Sequence, residues 1–251
     1  MAKAIQYKKH ELSETKYPND LGLEYIEVQR LHVNSEERVY TAGQEQGLVV
    51  IEGTVDVRIS NEIYPLDFCD MMYIPKDMEF FIEGSEAVLM RYAAPAENSF
   101  EPAVFSFNEV KEDPKRHVQV GADENGSLRH VWKVIDENFE CNRLMMGLCE
   151  GSNGGWAAWP PHEHSEKKEE VYTYFDMGED FGVQLVYEDL SNPLGVFIVE
   201  DGDVVSIGKG YHPNVGCPSG RINFVYCMAA KQSGERRFAD MNFQERFISR
   251  T

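Results

Sequence analysis

The chain lacks any long hydrophobic run. Its apolar stretches are strand-sized and well short of the roughly 20 residues that a membrane-spanning helix needs. The first residues, MAKAIQYKKHELSE, contain neither the apolar core nor the small-residue cleavage site of a secretion signal. We therefore expect a cytoplasmic protein that does not enter a membrane.

Basic residues are also scarce. The chain has 24 Lys and Arg against 43 Asp and Glu, a formal net charge of −19. Non-specific binding to nucleic acid depends on cations that neutralise phosphates, so this balance argues against a nucleic-acid partner and against an anionic membrane surface. If the substrate is an acid, its pocket must supply local cations against this background.

Several catalytic motifs are missing. The chain has no GxSxG of a serine hydrolase, no phosphate-binding GxxxxGK[ST] and no CxxC pair. Its five cysteines are an odd number at irregular spacing, and we expect reduced, mostly buried thiols.

What the chain has in abundance is short runs rich in Val, Ile, Tyr and Phe, separated by Gly, Pro, Asn and Asp. Examples are LVVIEGTVDVRI (48–59), GVQLVYE (182–188) and INFVYCMA (222–229). No long stretch shows the apolar spacing of a helix. Many short strands in this rhythm predict an all-β sandwich or barrel.

The order of these signals repeats. The segment from Asp70 to Glu79 resembles the segment from Asp203 to His212, and a more polar stretch lies between the halves. We predict two similar β units, at 1–100 and 129–251, joined by a connector at 101–128. Because no HxH precedes residue 162 and Glu79 stands where the second half has His212, we expect the first unit to be metal-free.

One region carries the pattern of a metal site. His162 and His164 are two residues apart, so both imidazoles point to one face of an extended backbone. Only one of the adjacent Glu169 and Glu170 can share the inward face of the following strand, and the bulky residues after them leave open which one. The fourth candidate, His212, follows a later strand. Three imidazoles and a carboxylate suit one divalent ion such as Zn, Mn, Fe, Co or Ni.

These residues resemble the cupin signature, HxH followed by Glu on the next strand and a later His. More narrowly, roughly 129–230 resembles the family of 5-deoxy-glucuronate and 4-deoxy-5-hexosulose-uronate (5-keto-4-deoxyuronate) isomerases. The motifs that carry this resemblance are Trp156-Ala-Ala-Trp-Pro-Pro-His162, Glu169-Glu170-Val-Tyr172, Phe181-Gly-Val-Gln184-Leu-Val-Tyr187, Asp201-Gly-Asp-Val-Val205 and Gly210-Tyr-His-Pro213. The chain departs from the first branch at Trp159, where that branch has Tyr, and in the short segment between His164 and Glu170, which is closer to the second branch.

The resemblance implies a bicupin, two cupin-like β-barrels with the metal in the second. It assigns the ligand role to Glu170, so that we expect Glu169→Gln to be mild and Glu170→Gln severe. It also implies aldose–ketose isomerisation of a deoxy-uronic acid.

In such a reaction a divalent ion polarises the carbonyl as a Lewis acid, and a base moves a proton between adjacent carbons. A hydride shift needs no base, and the sequence leaves both routes open. Glu170 is the candidate base, with Gln184 and Tyr187 as polar groups beside the metal. Arg143 and Lys209 are candidates to hold the substrate carboxylate.

For the substrate we expect 5-deoxy-glucuronate, converted to 5-dehydro-2-deoxy-gluconate as in inositol catabolism. The alternative is 4-deoxy-5-hexosulose-uronate. Two alternatives of another class are an Fe-dependent cupin dioxygenase with the same four ligands and a non-enzymatic sugar-binding cupin. A homo-oligomer is compatible with all of these.

Overall fold

The computed structural model of the protein describes residues 4–248. Strands hold 49% of the residues and helices 7%, which confirms the predicted all-β class. In chain order the strands are β1 (Ile5–Tyr7), β2 (Glu27–Val33), β3 (Glu37–Tyr40), β4 (Gln44–Glu52), β5 (Val55–Ile59), β6 (Glu62–Leu66), β7 (Met71–Ile74), β8 (Glu79–Gly84), β9 (Ala87–Pro95), β10 (Ala103–Phe105), β11 (His117–Val120), β12 (Arg129–Ile135), β13 (Leu144–Gly151), β14 (Trp156–Ala157), β15 (His162–Glu163), β16 (Lys168–Tyr174), β17 (Phe181–Val186), β18 (Gly195–Glu200), β19 (Val204–Ile207), β20 (Asn214–Gly216), β21 (Asn223–Ala230) and β22 (Asn242–Phe243).

The helices are short. They are α1 (Pro18–Leu21), α2 (Phe107–Val110) and α3 (Glu245–Ile248), with 3₁₀ turns at Lys9–Glu11 and Asp123–Asn125. Across residues 4–248, none has the length and apolarity required to cross a bilayer.

The strands form two barrels. The N-terminal barrel has a five-stranded sheet in the order β10-β7-β4-β9-β2 and a four-stranded sheet in the order β3-β8-β5-β6. The C-terminal barrel has a seven-stranded sheet in the order β1-β19-β16-β21-β13-β12-β11 and a four-stranded sheet in the order β14-β20-β17-β18. The short β15 and β22 pair with each other beside this second barrel.

The two large sheets repeat one topology. The order β7-β4-β9-β2 in the first sheet corresponds to β19-β16-β21-β13 in the second. At each repeat an aspartate accepts a hydrogen bond of 2.9 Å from the N–H three residues earlier, Asp70 from Asp67 and Asp203 from Glu200. The short sequence repeat thus marks equivalent turns of the two barrels.

The predicted boundaries at 1–100, 101–128 and 129–251 differ from the structure at their edges. β1 lies at the chain's start but pairs with β19 of the C-terminal barrel. In the predicted connector, β10 pairs with β7 of the N-terminal barrel, and β11 pairs with β12 of the C-terminal barrel. The physical reason is that an open sheet edge presents unpaired backbone groups, and these segments cover such edges.

The barrels pack back to back through their large sheets. Successive residues of a strand face opposite sides, and here both sides are buried. On β21, Val225, Cys227 and Ala229 face the core between the barrels, whereas Phe224, Tyr226 and Met228 line the interior of the C-terminal barrel. Gly47 of β4 leaves the space that Met146 of β13 occupies across this interface. The interior of the N-terminal barrel is a separate apolar cluster that includes Leu48, Met72 and Phe80.

Two buried carboxylates connect the barrels. Glu45 of β4 accepts hydrogen bonds from the backbone N–H groups of 142–144, at the start of β13. Glu169 of β16 accepts three, at 2.7, 2.8 and 2.8 Å, from the N–H groups of 24–26, just before β2. Each barrel therefore holds the backbone of the other through one carboxylate.

Candidate metal centre

The four predicted ligands come together in the C-terminal barrel. The ligand-capable nitrogens of His162, His164 and His212 lie within 4.8 Å of one another. Glu170 Oε2 is 2.9 Å from His164 Nε2 and 3.2 Å from His212 Nε2. β15 and the turn after it supply the first two histidines, β16 supplies the glutamate, and the turn before β20 supplies His212. One carboxylate and three imidazoles thus converge from separate segments.

Each imidazole is oriented by a backbone carbonyl. The Nδ1 atoms lie 3.1 Å from Pro160 O for His162, 3.3 Å from Lys168 O for His164 and 2.8 Å from Gly210 O for His212. A carbonyl only accepts, so each Nδ1 donates, and in a neutral ring the Nε2 then carries the lone pair that can bind a metal. This is the outer-shell arrangement that fixes the tautomer of metal-binding histidines.

The arrangement fits a cation. His212 Nε2 is fully buried and lacks a hydrogen-bond partner of acceptable geometry among residues 4–248. Such an unsatisfied buried atom needs an explanation, and a metal ion at the point where the other ligands converge supplies one.

The protonation states agree with this role. Burial, and then the neighbouring imidazoles of His212 and His164, hold the pKa of His162 well below its ordinary value, so this ring is neutral. Burial alone would raise the pKa of Glu170, but the neighbouring imidazoles of His164 and then His212 hold this pKa well below its ordinary value. The site therefore presents a neutral imidazole and an ionised carboxylate.

Gln184 lies behind the ligands rather than beside the metal. Its side chain is fully buried. Its Nε2 donates to the backbone carbonyls of His212 at 2.9 Å and Leu185 at 2.8 Å, and its Oε1 accepts from the Tyr174 hydroxyl at 2.5 Å. Gln184 thus holds the turn that carries His212 and does not line the cavity described below.

Tyr187 does not line the cavity either. Its hydroxyl donates to Gln244 Oε1 at 2.9 Å, and its ring packs against Tyr211. This bond ties the last described segment of the chain to β17 and its following turn.

The structure does not bring the two predicted carboxylate-binding cations to the site. The guanidinium of Arg143 lies between the barrels, where it donates to the carbonyls of Pro95 at 3.2 Å and Ala230 at 3.0 Å. Lys209 Nζ is at the surface, 2.7 Å from Glu188. Neither lines the cavity, because each is already engaged elsewhere.

A cavity of about 390 Å³ adjoins three of the four converging residues. Most of its walls are apolar or aromatic, which is typical of a small-molecule site. Its lining includes His162, His164 and Glu170 together with Arg129, Val131, Lys133, Cys149, Tyr172, Phe224, Tyr226, Met228, Phe238, Met241 and Phe243. Burial raises the pKa of the Cys149 thiol to about 12, so this cysteine is not a nucleophile.

Sequence reasoning missed three polar members of this lining, Arg129, Lys133 and Tyr172. Tyr172 is two residues after Glu170 and so shares its face of β16. Arg129 and Lys133 occupy alternate positions on β12 with Val131 between them. Alternate residues of a strand face the same side. Once one inward residue of each strand was known, this alternation could have identified the three as inward residues.

The chain after β21 covers one side of the cavity. Phe238, Met241 and Phe243 line it, and β22 places Phe243 opposite His162. The buried Lys168 holds this covering segment by donating from Nζ to the backbone carbonyl of Phe238 at 3.2 Å. The sequence analysis identified no motif in this segment.

The N-terminal barrel has a different interior. Glu79, the counterpart of His212 in the repeat, is a surface residue that bonds with Arg38 at 2.8 Å. Within the part of the chain that the structure describes, the three histidines of the C-terminal barrel form the only cluster of three or more metal-ligating side chains.

Comparison with known proteins identifies the family. The KduI/IolB family model matches residues 3–246. The chain belongs to this family, which confirms the resemblance inferred from its motifs.

Curated relatives carry two different names. The 5-deoxy-glucuronate isomerase of Shouchella clausii is 26% identical over 226 residues, covering 81% of this chain and 79% of that protein. The 4-deoxy-L-threo-5-hexosulose-uronate ketol-isomerase of Lachnoclostridium phytofermentans is 26% identical over 248 residues, covering 89% and 86%. Equal identity to both means that overall similarity does not separate the two substrates.

A solved structure shares the fold. An IolB-like protein of Salmonella typhimurium LT2 superposes with a TM-score of 0.80 at 19% identity, covering 94% of each chain. The predicted bicupin fold is thereby confirmed.

Proposed function

We propose that this protein is a metal-dependent aldose–ketose isomerase of a deoxy-uronic acid. The observation that carries the proposal is the convergence of His162, His164, Glu170 and His212, three of which line a cavity. The names of the family relatives, both isomerases of deoxy-uronates, support the reaction class.

We assign these four residues as ligands of one divalent ion, from the group Zn, Mn, Fe, Co and Ni. Neutral imidazoles and a carboxylate are ligands that such borderline ions accept. When bound, the ion supplies Lewis-acid polarisation of a carbonyl.

Two residues of the chain can act on the substrate directly. Glu170 Oε2 takes both contacts to the histidines, whereas its Oε1 makes no hydrogen bond within residues 4–248. We assign Oε1 to accept a proton from the carbon beside the carbonyl and to return it to the adjacent carbon. The Tyr172 hydroxyl lines the same wall and can donate a hydrogen bond to a substrate oxygen. If hydrogen instead moves as hydride, Glu170 acts as a ligand alone.

The remaining predicted polar residues act indirectly. Gln184 holds His212 through its backbone carbonyl, and Tyr187 holds the covering segment through Gln244. The apolar walls and the covering segment shield one side of the cavity from water.

For the substrate we retain 5-deoxy-glucuronate, with 5-dehydro-2-deoxy-gluconate as the product, as in inositol catabolism. The motifs of three separate segments favour it, whereas the short stretch between His164 and Glu170 favours 4-deoxy-5-hexosulose-uronate. Discrimination between two such acids rests on one or two hydroxyl contacts, each worth about 1–3 kcal/mol when left unpaired.

The test is an isomerase assay of the purified protein on both sugars, followed by NMR of the products, before and after treatment with a chelator. We expect turnover that a divalent ion restores, with the higher kcat/KM on 5-deoxy-glucuronate. A tenfold preference for the hexosulose-uronate would contradict the substrate. No isomerisation of either sugar by metal-loaded protein would contradict the reaction, and oxygen consumption would favour a dioxygenase.

A further inference from the structure

Two cations share the cavity with the metal-site residues. Arg129 and Lys133 lie on the inward face of β12, and both line the cavity. No carboxylate of the described chain lies within 4.0 Å of either side-chain cation. They stand out in a chain of net charge −19, where acidic partners are plentiful.

Arg129 is poorly satisfied for a buried arginine. It is 8% exposed, and its one hydrogen bond to the described chain is a long 3.3 Å contact from NH1 to Ser127 O. Burial lowers its pKa. Arg236 is a useful contrast, because its equally buried guanidinium donates to the backbone carbonyls of Asp136, Leu144 and Phe139. A buried charge without such partners is costly, and it marks a place where a ligand supplies them.

The sheet register relates these cations to the metal ligands. Lys133 pairs with Gly147, Gly147 with Tyr226 and Tyr226 with Tyr172, which is two residues from Glu170. β12 and β16 are thus about 14 Å apart across the sheet at three strand spacings. Arg129 pairs with Gly151 and lies four residues before Lys133 on the same face of β12, about 13 Å away along the strand. Lys133 is therefore nearer the metal-site residues, and Arg129 lies further from them along the same cavity wall. The floor between β12 and β16 is aromatic and apolar.

We propose that Arg129 binds the carboxylate of a sugar acid whose other end reaches the four metal ligands. Lys133 adds a second positive charge to the same wall. A guanidinium forms two parallel hydrogen bonds to a carboxylate, which would satisfy the donors that the chain leaves open. The class of substrate rests on the proposed function, but the assignment of an anion site does not. Arg129 takes the role that the sequence suggested for Arg143 or Lys209.

The first test is binding of a matched pair of probes, D-glucuronate and its uncharged amide D-glucuronamide, to metal-loaded protein by ligand-observed NMR. We expect wild type to prefer the acid by about tenfold to a hundredfold. Arg129→Gln should lose this preference, Arg129→Lys should keep part of it, and the surface control Lys209→Gln should keep all of it. A preference that survives in Arg129→Gln would overturn the proposal.

The second test is thermal stability without ligand. Because Arg129 is a poorly compensated buried charge, Arg129→Gln should have a Tm equal to or above that of wild type. Arg236→Gln, which removes bonds to three carbonyls, should have a lower Tm. A fall in Arg129→Gln as large as that in Arg236→Gln would make Arg129 a structural residue and overturn the proposal.

Kinetics separate this proposal from the reaction itself. If wild type isomerises a deoxy-uronate, Arg129→Gln should raise KM at least tenfold, and an unchanged KM would contradict the role of Arg129 alone. If wild type isomerises neither sugar, the proposed function fails, while the comparison of glucuronate with glucuronamide still decides whether Arg129 binds a carboxylate.

Discussion

Adjacent glutamates on β16 make different contacts, and we predict that replacing each by glutamine has a different effect. The carboxylate of Glu169 accepts backbone hydrogen bonds from Glu24, Tyr25 and Ile26. In Glu169→Gln the amide oxygen can keep the bonds from Tyr25 and Ile26, but the new NH₂ group faces the N–H of Glu24. One unsatisfied donor and the loss of the charge reduce stability by about 1–3 kcal/mol. For a chain of this size that corresponds to a fall in Tm of roughly 2–12 °C.

The same change should leave the metal in place, because Glu169 faces away from the ligands. Glu170→Gln should show the reverse pattern, with loss of bound metal and a Tm in metal-free protein close to that of wild type. The assay is thermal unfolding together with metal content for both variants. The sequence alone predicts that Glu169→Gln has a mild effect. With the structure, we expect a mild effect on metal binding but a loss of stability. An unchanged Tm in Glu169→Gln, or metal loss in that variant, would refute the reasoning.

Two further variants test the supporting structure. Gln184→Leu should weaken metal affinity by about 10–100-fold, because it removes the hydrogen bond that holds the backbone of His212. Competition with a chelator will measure this affinity. Unchanged affinity with a reduced kcat would instead make Gln184 a catalytic residue. Glu45→Gln should lower the free energy of unfolding, measured by urea denaturation, by about 2–5 kcal/mol. The surface control Glu79→Gln should change it by less than about 1 kcal/mol. Equal effects of the two variants would show that the contact between the barrels does not depend on Glu45.

The β class and the two-barrel organisation were readable from the sequence, because turn residues separate strand-sized runs and the Asp70 turn recurs at Asp203. The edge strands were not. β1 and β10 pair with sheets that the linear order of the chain does not indicate, and local sequence carries no signal for pairing at that distance.

The residues that converge in the C-terminal barrel were readable because HxH and a following glutamate are local patterns. The inward face of β16 was not, since this strand is buried on both sides, and the alternation that marks a half-exposed strand is absent. The same difficulty hid Arg129, whose inward direction depends on the register of β12 with β13. The sequence also did not reveal that Arg143 lies away from the cavity, because its hydrogen-bond partners are carbonyls of segments distant in the chain.

The central claim is that the four converging residues bind a metal on which isomerisation depends. The direct measurement is metal per chain and isomerase turnover for wild type and His212→Ala, expressed and purified in parallel. We predict close to one divalent ion per chain and turnover in wild type, and neither in His212→Ala, with the fold retained by circular dichroism because the apolar cores do not include His212. Near-stoichiometric metal with normal turnover in His212→Ala would contradict the account.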